Sequence, residues 1–331
     1  MHSMKDQKLH ENLKFIAIFL GVALFWVLGW LFVDTVVPVE QRANFGDKFG
    51  FINSLFSGLA LAVIIYSIHL QQTELSLQRK ELTDTRAEFR DQNFQTTFFN
   101  LLKTQQQIPN DIHVIISDLK TYDSYENRSV KGREFFVNSK IELKRISKAI
   151  KHPTYLSYED WTEYDEQYRG PSNDFEEQEL FKTRKISYTN KYYGITKVQW
   201  KYAQTLQPHE FGGYCFQLFF SRFQYAIGHY FRHLHHILLF LEECEKTKME
   251  KQSEPQKEEV KKEFQRYADF VQAQMATPEL FLLFYNLLFF NKLKKEIIKY
   301  NILENLYIED LLDPKHKEIV GINLKSTQDL T

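Results

Sequence analysis

Residues 44–71 read NFGDKFGFINSLFSGLALAVIIYSIHLQ. Phe49 to Ile68 is a run of 20 residues without a charge. At 1.5 Å per residue it can cross a hydrocarbon core of roughly 30 Å as a helix. Small residues recur every fourth position, at Gly46, Gly50, Ser54, Gly58 and Ala62. On a helix they form one narrow stripe. Within lipid, apolar burial no longer drives helix association; close van der Waals approach does, and small residues permit it. Gly50, Ser54, Gly58 and Ala62 are therefore expected to pack against another helix, either the first helix of the same chain or a second copy. Asn53, the one strongly polar side chain in the span, is expected to hydrogen-bond across that contact, with a channel-lining role as the alternative.

Upstream, Phe15 to Val33 is a second uncharged run, of 19 residues. It is too long for a signal-peptide core and lacks a small-x-small site before Asp34. The expectation is a transmembrane helical hairpin over 15–70, with spans at about 15–33 and 49–68 and a tail at 1–14. Lys5, Lys8 and Lys14 precede it and Arg79, Lys80, Arg86 and Arg90 follow it, while the 34–48 link carries only Arg42 and Lys48. The positive-inside bias puts both termini in the cytoplasm, with about 260 residues beyond the second span.

No Pro or Gly interrupts residues 59–108, and Ile68, Leu75, Leu82 and Phe89 recur every seven. The companion seam, Gln78, Thr85 and Gln92, is polar, so this is half a coiled-coil pattern. A helical stalk is expected over 71–108, either between subunits or as an exposed charged helix, stopped by Pro109. The remainder, 109–331, reads as a helical cytoplasmic domain. Helical patterning is expected through 111–150, an irregular Tyr-rich insert over 151–203, and helices again from 211. Thr277 is expected to cap a helix that Pro278 opens. No alternating strand series is evident, so the fold class is all-α.

Composition narrows the function classes. Lys plus Arg (42) nearly balances Asp plus Glu (43), so no global bias points to nucleic acid. The 29 Phe against 12 Gly and 8 Pro favour a helical chain with a bulky core. Cys215 and Cys244 show no metal spacing, and their scarcity suits a reducing compartment. There is no Gly-rich phosphate loop, serine nucleophile elbow or CxxC pair, and no cofactor is implied.

The chain resembles the phage abortive infection proteins of bacteria. The resemblance rests on FGDKFGFINSLFSGLALAVIIYSIHLQ at 45–71, GHYFRHLHHILLFLEE at 228–243 and QAQMATPELFLLFYNLL at 272–288, with QNFQTTFFNLL at 92–102 as a weaker block. It implies two membrane helices, a helical cytoplasmic domain, a place in the bacterial inner membrane and a role in stopping infected cells. Gln272 stands where the family pattern has Arg, and the Tyr-rich insert looks specific to this chain. The resemblance does not fix a chemistry.

One constellation invites chemistry, SRFQYAIGHYFRHLHH at 221–236. On a helix Arg222, His229, His233 and His236 share a stripe beside an apolar face of Phe223, Ile227, Tyr230, Leu234, Ile237 and Leu241. Three readings stand. The stripe is a wet helix face. Or Arg222 and His229, six residues apart, resemble the Arg-x4–6-His pattern of HEPN ribonucleases, with His moving the 2′-hydroxyl proton and Arg stabilising phosphate charge. Or His229, His233 and His236 hold zinc, for which no Glu or Cys completes the motif. The functional expectation is a membrane-anchored anti-phage effector that disturbs the inner membrane after a cytoplasmic trigger. Its rivals are a membrane-tethered ribonuclease, the one reading with RNA as a partner, and a non-catalytic membrane scaffold. Expected partners are the lipid bilayer, a second copy through the second span and stalk, and an unidentified trigger.

Overall fold

The computed structural model describes residues 20–120, 124–159, 174–250, 252–317, 321–322 and 324–327. The expected tail at 1–14, the start of the first span at 15–19 and the middle of the Tyr-rich insert, 160–173, lie outside them. The chain divides into two units between Phe89 and Arg90.

The first unit holds helix α1, Leu20–Val36, and most of α2, Arg42–Gln107, a helix of 66 residues. Arg42 closes the turn between them. Its guanidinium donates to the carbonyls of Asp34 (2.6 Å) and Val37 (3.1 Å) and meets the Asp34 carboxylate at 3.0 Å. Along α2 lies the one described segment long and apolar enough to cross a membrane, and none of its most apolar window is buried. Leu61 and Ile65 are exposed, and so are the heptad residues Ile68, Leu75, Leu82 and Phe89.

The second unit is built around α6, Pro208–Met249, the long helix expected from residue 211. Its apolar stripe is as periodicity predicts: Phe223, Ile227, Tyr230, Leu234, Ile237 and Leu241 are all buried. Against it pack α3 (Glu134–Lys151), α7 (Glu254–Ala273), α8 (Thr277–Phe289) and α9 (Lys294–Lys299). The last turns of α2 enter the same core through Phe98 and Leu102, and a short 3-10 turn containing Pro109 ends that helix. Ionic contacts tie α9 to α6. Lys295 meets Glu242 at 2.7 Å and Lys299 meets Glu245 at 2.6 Å, while the Tyr300 hydroxyl donates to Glu245 at 2.7 Å.

The fold is mostly helical, with one departure from all-α. Residues His113–Leu119 (β1) and Tyr125–Lys131 (β2) form an antiparallel hairpin, not helix, with Val114 opposite Val130. Val114 and Ile116 alternate inward while Ile115 faces out, the period-2 pattern of a half-buried strand. The signal is short because β2 buries only Val130. A second correction concerns the insert. Residues Asp174–Tyr193 are helix α4 and Lys197–Ala203 helix α5, so this part is not irregular. Tyr188, Thr189, Asn190 and Tyr193 are buried, so polar side chains hold a position that a hydrophobic pattern cannot reveal. Gly194 takes a left-handed φ of 65° where α4 ends, and Ile195 N–H then reaches the Asn190 carbonyl at 2.7 Å. Thr196 and Gln199 form a capping box for α5. Finally, the N-cap of α8 is Ala276, not Thr277. The buried Glu279 carboxylate does the capping, accepting the Ala276 N–H at 2.6 Å.

Candidate functional site

The small-residue stripe of α2 lies open. Gly50, Asn53, Ser54, Gly58 and Ala62 are all exposed, and a Cβ added at Gly46, Gly50 or Gly58 would meet nothing within 4 Å. Within the described residues, then, the first helix does not fill the stripe at these glycines.

On α6, Arg222 and His229 are exposed, beside the buried face rather than in it. The Arg222 guanidinium sits over the Tyr192 ring at 4.2 Å from its centre. His233 is half-buried, and its Nδ1 lies 2.8 Å from the Gln105 amide oxygen. Burial lowers the His233 pKa, and the neighbouring His236 and His229 lower it further. His236 is exposed. Among the described residues no group of three or more His, Cys, Asp or Glu is placed to hold a metal ion. A cavity of about 320 Å³ opens on another face of the same helix, lined by Gln224, Gly228, Arg232 and His235 with Asn286 and Lys292 opposite. Arg222 and His229 do not line it.

A third constellation went unnoticed in the sequence. Glu142 and Arg145 of α3 are buried, with side chains 5% and 7% exposed, and meet at 3.3 Å. Arg145 Nε donates to Thr189 Oγ1 at 2.8 Å and Nη1 to the Ser117 carbonyl at 3.0 Å. The guanidinium also faces the Tyr188 and Tyr192 rings and lies 3.5 Å from the Asp118 carboxylate. The Tyr193 hydroxyl donates to Glu142 at 2.5 Å. Burial raises the Glu142 pKa, against the opposing pull of Arg145 and the Tyr193 hydrogen bond. This network joins α3, α4 and β1, and its Asp118, Arg145 and Thr189 line a cleft of about 620 Å³. The signal was available in IELKRISK at 141–148 and KTRKISYT at 182–189, where residues spaced three and four apart share a helix face. Read for hydrophobicity alone, both look like solvated faces.

Gln272 donates to the Ile302 carbonyl at 3.0 Å and the Asn301 carbonyl at 3.4 Å. It steadies the turn where Asn301 takes a left-handed φ of 49°.

The family model described as putative phage abortive infection protein matches residues 222–311, from the middle of α6 through α8 and α9. No curated protein and no solved structure matches the chain.

Proposed function

We propose that this chain, whose residues 222–311 match the phage abortive infection family, is a bacterial anti-phage effector anchored in the inner membrane that disturbs that membrane after a cytoplasmic trigger. One observation carries the membrane part: the apolar window of α2 has no buried residue. Ile52, Leu55, Phe56, Leu59, Leu61, Val63, Ile64, Ile65 and Ile68 are all exposed. At about 1.5–3 kcal/mol for each such side chain removed from water, covering all nine is worth as much as or more than the roughly 5–15 kcal/mol that holds a typical domain together. Lipid or another apolar helix has to cover them. The length and the flanking charges favour lipid, and the basic residues at both ends favour cytoplasmic termini.

The stripe at Gly50, Asn53, Ser54, Gly58 and Ala62 is the contact through which we propose that membrane helices associate. A second copy of α2 is the partner the open stripe favours, with the exposed heptad residues continuing the association along the stalk. Gly58→Leu tests this. A Cβ at position 58 meets nothing within 4 Å among the described residues, so the position has room for a larger side chain there, and a leucine would obstruct a helix approaching the stripe. The expected result is loss of protection from phage with normal membrane insertion. Full protection by a stably inserted Gly58→Leu protein would refute the reading.

A further inference from the structure

The cleft beside Arg145 has a composition that the membrane reading does not use. One wall is a face of α3 bearing Ile141, Lys144, Arg145 and Lys148. The other is a face of α4 bearing Lys182, Lys185, Ile186 and Thr189. Both walls follow the same i, i+3, i+4, i+7 spacing, so each helix turns a single basic stripe toward the cavity. Asp118, from β1, is the one carboxylate among the lining residues. It is already engaged, by Lys185 at 2.8 Å and Arg145 at 3.5 Å, while Lys182 is paired with Glu179 at 2.6 Å. Lys144 and Lys148 have no carboxylate partner among the described residues. Like charges four residues apart on a helix repel, so the folded domain holds them together at a cost.

A second, independent observation comes from Arg145. Its side chain is more than nine-tenths buried, yet its Nη2 is buried without a hydrogen-bond partner. That nitrogen is closed to solvent, so Arg145 brings charge and a fixed position to the cleft wall rather than an open donor. The rest of the side chain is fixed by Thr189, the Ser117 carbonyl, Glu142 and two tyrosine rings, so the group is pre-organised.

We infer that the α3–α4 cleft is a binding site for a compact ligand bearing two or more linked phosphates. Charge selects the class. A single carboxylate would leave at least one of Lys144 and Lys148 uncompensated, whereas linked phosphates bring several negative charges and many acceptor oxygens. The size argument agrees, since about 620 Å³ lies in the range of small-molecule sites and the cavity is bounded by two helices. Ile141 and Ile186 supply apolar wall for the body that carries the phosphates. The inference stands independently of the membrane reading, because binding is measured without reference to membrane damage.

The test is equilibrium dialysis of the full chain in detergent against inorganic pyrophosphate and ATP, for wild type and Lys144→Gln/Lys148→Gln. Both lysines are exposed, so the double variant should fold as wild type does, checked by its thermal transition. The expected result is one saturable site per chain for both probes, mutually competitive, weakened roughly tenfold or more in the double variant, as loss of charge-assisted contacts requires. No saturable binding up to millimolar probe, or equal affinity in the folded double variant, would overturn the inference. So would tighter binding of a single-stranded RNA oligonucleotide that the same double substitution removes, since the site would then belong to a polymer.

Discussion

Two glycines of α6 make opposite predictions for the same substitution. A Cβ at Gly213 would lie 2.8 Å from the Leu288 carbonyl oxygen and 3.1 Å from the Leu288 carbonyl carbon, both backbone atoms of α8. Neither can swing away as a flexible side chain would. Alanine should gain about 1 kcal/mol over glycine in a helix interior. Overpacking of a well-filled contact costs about 1–3 kcal/mol, and here it requires two helices to part. The contacts are with backbone atoms, which puts the cost at the upper end, and Gly213→Ala should destabilise the second unit by up to about 2 kcal/mol net. Gly228, further along the same helix, is the control. A Cβ there has its nearest neighbour, Phe220 Cζ, at 3.8 Å, an ordinary contact. Gly228→Ala should keep most of the helix gain and stabilise by up to about 1 kcal/mol. Thermal unfolding of the full chain in detergent reads both. For a unit of this size each kcal/mol moves Tm by about 2–4 °C, so the two variants should bracket wild type. A Gly213→Ala protein as stable as wild type would refute the close packing of α6 on α8 that organises this half of the molecule.

Other named contacts can be tested in the same way. The buried Tyr285 hydroxyl accepts the Leu312 N–H at 2.8 Å and lies 2.9 Å from His316 Nδ1. Burial lowers the His316 pKa to about 4, from an ordinary value of 6.5. The unfolded chain therefore takes up the proton first, and the stability present above pH 6.5 is lost as the pH falls toward 4. Between pH 6.5 and 5 the loss is about 1.5 kcal/mol, and His316→Gln should flatten that slope in pH-dependent denaturant titrations. Arg222→Ala and His229→Ala should both fold and both protect cells from phage if the stripe is a wet face; joint failure at full expression would move the account to the ribonuclease reading. For topology, a cysteine at Thr35 should react with an impermeant thiol reagent in intact cells, and one at the exposed Glu258 should not. The native Cys215 cannot serve, because it is fully buried and burial pushes its thiol up to about 12.

The helices with strong apolar periodicity were legible in the sequence. Phe223 through Leu241 marked the buried face of α6 residue by residue, and the run without Pro or Gly that begins at Leu59 stays in one helix as far as Gln107. What escaped was held together by polar groups. In α4 the buried Thr189, Asn190 and Tyr193 act through hydrogen bonds to Arg145, the Leu156 carbonyl and Glu142, and none of these registers as a hydrophobic stripe. Strand β2, YENRSVK, buries one valine and owes its place to pairing with β1. The basic cleft escaped for the same reason. Lysines spaced three and four apart look like solvent-facing charge until a second helix places its own lysines opposite. The stripe on α2 shows the converse, a pattern plain in the sequence that lies exposed among the described residues.

The most direct test of the central claim is a voltage-sensitive dye in phage-infected cells that express the wild-type chain or Gly58→Leu at equal membrane levels. The account predicts that wild-type cells depolarise after infection and before phage release, and that Gly58→Leu cells hold their potential and yield phage. Wild-type cells that block phage production while their membrane potential stays intact would contradict it.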